Sequence, residues 1–241
     1  MSGAVGGQPF EVEIGIGTVR GLRFGAPGGR RVLALHGWLD NAASFVPLAA
    51  HLDGLDIAAP DLPGHGQSPD WPGEPPDFHT HVTRQVAPLI TRPLDLIGHS
   101  LGATVALRIA VGAPEAVRSL TLIEPVLFAA APGAGNDGLL EEIHALAEAG
   151  RPEDAARRFL EVWGGIDWDQ QTPAGRARLT RQIGMVIAGN DALAHDSANI
   201  LRDGGLESVD APVLIVMGGD SPPVIPAIAD ALAARLPDVG R

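Results

Sequence analysis

Apolar and polar positions alternate near the start of the chain. Over residues 11–24 the order Glu-Val-Glu-Ile, a glycine, then Val-Arg-Gly-Leu-Arg-Phe has period two, which predicts an antiparallel hairpin at a sheet edge. Later apolar runs, at 32–35, 57–59, 94–97, 120–123 and 213–217, lose that alternation and suit strands covered on both faces. Segments of helical length lie among them, at 42–52, 78–90, 101–111 and 224–236. Regular alternation of strand and helix predicts a mostly parallel sheet with right-handed crossovers, flanked by helices. Pro88 unsettles the second helix near its end, because proline lacks a backbone donor.

Between residues 127 and 207 the strand signals stop and the pattern turns helical, with helices predicted at 139–149, 152–163 and 173–188. Two starts are marked: Pro152 stands before Glu153 and Asp154, and Thr172 stands before Pro173 as a cap. A helical insertion between two strands of an α/β sheet is most simply a cap over the strand ends, where such sheets place ligands. A plain structural extension is the alternative. The division predicted is a first core part over 1–126, the cap over 127–207 and a second core part over 208–241.

Composition narrows the function classes. At 241 residues and 45% hydrophobic content the chain can bury one large core. Its 29 acidic residues outnumber 17 basic ones, giving a net charge of −12 that argues against a nucleic-acid partner. Cysteine is absent, so disulfides, thiolate metal sites and a cysteine nucleophile are excluded. Residues 1–10 lack the basic flank and apolar stretch of a signal peptide, and no run approaches a membrane span. A soluble, cytoplasmic protein with no membrane partner is the expectation.

Candidate chemistry centres on Gly98-His99-Ser100-Leu101-Gly102, between an apolar run and a helical stretch. A Gly-x-Ser-x-Gly turn in that context is a nucleophile elbow: the bend lifts the hydroxyl clear of the backbone, at the positive end of a helix. His36-Gly37-Trp38 follows another strand, so the amide of Trp38 could join that of Leu101 as a two-donor oxyanion hole. His36 itself reads as structural, satisfying backbone groups beside a glycine loop. The loop over 61–68, dense in glycine, proline and short polar residues, reads as scaffold.

These motifs, with the late strand leading to Gly218-Gly219-Asp220-Ser221-Pro222, resemble the α/β-hydrolase superfamily from about residue 11 onward in order and spacing. The resemblance implies a Ser-His-acid triad. For the acid it offers two positions: Asp220, near the usual place after the late strand, and Glu124 in Leu122-Ile123-Glu124-Pro125, with Asp220 slightly favoured. The family histidine follows a further strand, yet no histidine occurs after His195. His99 adjoins the serine but is expected to point away from it. The last strand and helix of the fold are thus expected to be missing, which would expose an apolar sheet edge over 213–217 and favour a homodimer through it. Loss of the base alone would cut turnover by about a million-fold.

The sequence therefore points to a serine hydrolase acting on a small, largely apolar ester or thioester through an acyl-enzyme on Ser100, with no metal or organic cofactor. Aspartate-dependent relatives of the fold, dehalogenases and epoxide hydrolases, are disfavoured because the elbow carries serine. The competing expectation is a non-catalytic ligand-binding or interaction protein on the same scaffold. Phe128, Phe159, Trp163 and Trp168 are candidates to line the pocket, although aromatic residues at such positions are more often core.

Overall fold

The alternating segment folds into β1 (Gln8–Ile14) and β2 (Gly17–Gly25), paired antiparallel at one edge of the sheet. The structure is a computed structural model that describes residues 7–73, 75–135 and 137–241, so the first six residues of the signal-peptide reading lie outside it. The unalternating runs become β3 (Arg30–Leu35), β4 (Leu55–Pro60), β5 (Leu94–His99), β6 (Val117–Ile123) and β7 (Val213–Val216). All of these pair parallel with one another, and β2 joins β4 antiparallel.

The sheet does not end at β7. After α7 (Val224–Ala233) the chain turns back and Val239–Gly240 form β8, parallel to β7, giving the eight-stranded order β1-β2-β4-β3-β5-β6-β7-β8. This corrects the expectation that no strand follows the late helix: Val239 and Gly240 pair with β7, a strand too short to leave a pattern in the sequence. Leu214 and Val216 on one face of β7 are exposed, so the apolar exposure lies on a sheet face.

Helices cover the sheet. α2 (Phe78–Val86) is capped by Asp77 and gives way at Ala87–Leu89 to a 3-10 turn that holds Pro88. α3 (Leu101–Gly112) is buried along nearly its whole length. Residues 42–49 form a 3-10 turn capped by Asn41 and a single α-turn, α1 (Val46–Ala49), rather than the continuous helix expected; Pro47 removes a donor there. At the start of β5, Asp95 accepts hydrogen bonds from Arg30, Arg118 and Ser119 and ties the first residues of β3, β5 and β6 together. Burial opposes its charge, but those donors hold the carboxyl well below the usual range.

Between β6 and β7 run α4 (Asp137–Glu148), α5 (Pro152–Trp163) and α6 (Pro173–Ala194). Thr172 accepts from the amide of Gly175 to cap α6, and Glu153 and Asp154 lie in the first turn of α5. The three helices enclose an apolar cluster of their own, with Ile143, Ala155, Ala156, Leu160, Leu179 and Ile183. Leu39, from the loop after β3, enters that cluster, and the neighbouring Trp38 packs against it. No helix among the described residues is long and apolar enough to cross a membrane.

Candidate active site

Ser100 links β5 to α3 with φ 53° and ψ −117°, a conformation that L residues seldom adopt. It is the N-cap of α3, yet its hydroxyl caps no helical amide. Its own amide donates to Ile123 O at 2.9 Å, pinning the turn to β6. The flanking glycines are sterically compelled. A Cβ on Gly98 would sit 2.4 Å from Gly102 O, and one on Gly102 would sit 2.1 Å from Leu35 O. The Gly-x-Ser-x-Gly spacing therefore reads directly as a bend that only glycines permit.

The loop after β3 faces this bend. A Cβ on Gly37 would lie 2.9 Å from Ser100 Cβ, so a glycine lets the two turns meet. His36 is fully buried and accepts from Leu62 N at 2.9 Å on Nε2, so its proton sits on Nδ1, which donates to Gly37 O at 2.8 Å. His65 repeats the pattern, accepting from Leu39 N at 3.2 Å and donating to Pro63 O at 2.8 Å. Burial pushes His36 down to about 4, against the Gly37 bond that favours its charge, and burial with repulsion from His36 pushes His65 to about 3. Both imidazoles are thus neutral struts of the loop. Asp61 stiffens its far side, accepting from the amides of Ala42 and Gln67, each at 2.8 Å. Among the described residues the Trp38 amide donates to no backbone acceptor, and Leu101 opens α3, where amides have no partner within the helix.

A cleft of about 280 Å³ lies over these turns, lined by Trp38, Ser100, Glu124, Val126, Phe159 and Trp163 among others. Beyond Ser100 it narrows to a chamber of about 20 Å³ bounded by Phe128, Leu140, Val186, Asn190 and Leu193. Phe128, Phe159 and Trp163 thus face the cavity, whereas Trp168 is buried in the cap with the Arg176 guanidinium over its ring.

The two candidate acids differ in placement. Glu124, at the end of β6 with φ 48°, lines the cleft. Its Oε1 accepts from Gly218 N at 2.9 Å and from the Ser221 hydroxyl, leaving Oε2 open. Asp220 is exposed and is not part of the cleft lining. His99 is among the residues that line the same cleft, and its ring packs against Gly37, with Nδ1 3.2 Å from where a Gly37 Cβ would be. No hydrogen bond joins it to Ser100; burial lowers its pKa, against the attraction of Asp40 and Glu124. His144 is exposed beside Glu148 on α4, and His195 is the C-cap of α6.

Comparison with known proteins fits this architecture. A family model for the alpha/beta hydrolase fold matches residues 30–145. A pimeloyl-[acyl-carrier protein] methyl ester esterase of Methylococcus capsulatus is 33% identical over 220 residues, covering 85% of this chain and 82% of the relative. The chain belongs to the α/β-hydrolase family. Lipase LipV of Mycobacterium tuberculosis is 33% identical over 149 residues, but the match spans only 56% of that lipase and 60% of this chain. The crystal structure of an alpha/beta hydrolase from Sphaerobacter thermophilus superposes with a TM-score of 0.72 at 25% identity, covering 96% of this chain and 90% of that one. This α/β-hydrolase thus has esterases and a lipase as relatives.

Proposed function

We propose that this α/β-hydrolase cleaves a small, largely apolar ester or thioester through an acyl-enzyme on Ser100. One observation carries the reading: Ser100 is held at φ 53° between two glycines with its hydroxyl uncommitted and facing a cleft. A strained non-glycine residue costs about 1–3 kcal/mol and persists where the surroundings enforce it, as they do at functional turns.

Chemically, Ser100 Oγ adds to the substrate carbonyl carbon as its proton passes to a base. The carbonyl π pair moves to oxygen, where the amides of Trp38 and Leu101 receive the charge. Collapse expels the alkoxide or thiolate, which takes up the proton, and water repeats the sequence to release the acid. Glu124, rather than Asp220, takes the orienting role in this reading, because it lines the cleft with its Oε1 already held by Gly218 and Ser221, which leaves Oε2 to accept an imidazole N–H. Apolar lining supports an apolar substrate, and a chamber of about 20 Å³ suits a group no larger than a methyl beside the scissile bond. The Methylococcus relative is named for a methyl ester, which supports an ester with one small side.

The base is the step that the cleft does not supply in hydrogen-bonded form. This favours a second reading, a scaffold that binds esters without cleaving them. Imidazole added to the buffer separates the two. Hydrolysis of p-nitrophenyl acetate by the 241-residue chain, corrected for that of Ser100→Ala, is expected to be slow and to rise with imidazole until it saturates. Identical rates for the parent and Ser100→Ala at every imidazole concentration would leave the binding scaffold as the better reading.

A further inference from the structure

The loop that carries Trp38 is gripped from two directions. From the core side, His36 holds the carbonyl of Gly37, the other end of the peptide whose N–H belongs to Trp38, and His65 holds the next amide, that of Leu39. From the other side the grip is made by a side chain of α2 and by α6 of the cap. The Trp38 indole stacks on Phe78 at 4.7 Å between ring centroids, and its benzo edge rests in a notch of α6 opened by Gly189. A Cβ on Gly189 would lie 2.7 Å from both Cζ2 and Cη2 of Trp38, with Phe78 Cβ at 3.5 Å behind. The next residue, Leu39, is held at φ 62° and buries its side chain in the cluster enclosed by α4, α5 and α6.

Nothing about either position is explained by the fold alone. A glycine inside a helix costs helical stability, and a leucine with positive φ is strained, so each must be offset by what it permits. What both permit is one placement of the Trp38 peptide relative to Ser100. We propose that Gly189 and Leu39 are positioning residues of the oxyanion hole, through which the helical cap sets the direction of the Trp38 amide. The inference rests on the reading that this amide receives the carbonyl oxygen. Neither residue touches the reacting atoms; each acts through Trp38, so the cap forms one half of a clamp whose other half is the histidine pair.

Gly184 gives an internal control. It lies on the same helix, is exposed, and a Cβ there meets nothing within 4 Å. The test compares G184A, G189A, W38F and the double variant G189A/W38F, in the full chain with added imidazole. Two quantities are read: kcat and KM for p-nitrophenyl acetate, and the ¹H–¹⁵N resonance of the residue 38 backbone amide. G184A is expected to leave both unmoved. G189A should shift the amide and lower kcat about ten-fold with KM within about two-fold, because a donor is turned away from the developing charge while the cleft stays open. W38F removes the benzo edge, so adding G189A to it should cost less than about two-fold. If G189A does not fold, Leu39→Gly provides the second measurement, since it keeps the left-handed backbone and deletes the anchor; the same loss in kcat is expected.

The proposal is overturned if G189A behaves as G184A does, or if its effect is as large with Phe at position 38 as with Trp. A parent chain without Ser100-dependent turnover sinks the hydrolase reading instead. The amide shift then decides alone whether cap and loop are coupled.

Discussion

Glu124 reaches from the end of β6 to the turn after β7, where its Oε1 accepts from the Gly218 amide at 2.9 Å. A Cβ on Gly218 would lie 2.8 Å from that oxygen, so the glycine is what allows the approach. The same oxygen takes the Ser221 hydroxyl, so both partners hold Oε1 of a residue that lines the cleft. Two neighbouring strand ends thus combine to aim one carboxylate.

This placement separates the two candidate acids. Glu124→Gln keeps an acceptor for Gly218 but removes the charge that would stabilise an imidazolium. Imidazole-assisted, Ser100-dependent turnover should fall about ten-fold or more. Asp220→Asn should change it by less than about two-fold, the ordinary range for an exposed group away from the chemistry. The reverse ranking would return the acid role to Asp220.

The elbow glycines make a sharper structural prediction. Gly102→Ala would force a methyl to 2.1 Å from Leu35 O, a backbone atom that cannot yield without moving β3. Destabilisation of more than about 2 kcal/mol is expected, with loss of the imidazole-assisted, Ser100-dependent turnover. Gly112→Ala, whose Cβ would meet nothing within 4 Å at the other end of α3, should cost essentially nothing. Denaturant unfolding of the two variants checks the contrast.

What the sequence revealed and concealed follows from how local each feature is. The helix 152–163 was legible at its start because Pro152 opens it and Glu153 and Asp154 fill its first turn. The strands were legible as apolar runs because burial on both faces removes alternation. α6 instead runs to Ala194, past the expected end at 188, because Gly189 is a packing notch for Trp38 and not a stop. The failure at residues 42–52 was also local: Pro47 was in plain sight, and it breaks the helix into a 3-10 turn and a single α-turn. The choice between Glu124 and Asp220 depends on strand ends brought together by sheet order, which no single segment encodes.

Three buried histidines fix how stability should respond to acid. Burial pushes His36 to about 4, His65 to about 3, and His79, beside Arg108, to about 4. In the unfolded chain each titrates near 6.5, so below that pH the unfolded state binds more protons and is favoured. The stability these groups protect is complete above about pH 6.5 and is lost as the pH falls towards their folded values. By pH 5 the loss should reach about 2 kcal/mol per histidine. Urea unfolding at pH 7.5 and pH 5 measures it, and an unchanged midpoint would show that these rings are protonated in the folded protein.

The charge of the cleft bears on which acyl groups it accepts. Asp40 and Glu124 both line it, and no arginine does. An acyl chain ending in a carboxylate would bring a third negative charge among them. Two like charges about 6 Å apart at an effective dielectric near 20 repel by about 3 kcal/mol, less once salt screens a half-open site. A succinyl half-ester should therefore show about ten-fold lower kcat/KM than the neutral butyryl ester of the same alcohol. The gap should shrink between about 0.05 M and 0.5 M salt, and again in Asp40→Asn, which leaves Ser100 and Glu124 in place. Equal kcat/KM for the two esters at low salt would mean that the carboxylates are turned from the acyl path, and that the cleft selects by shape alone.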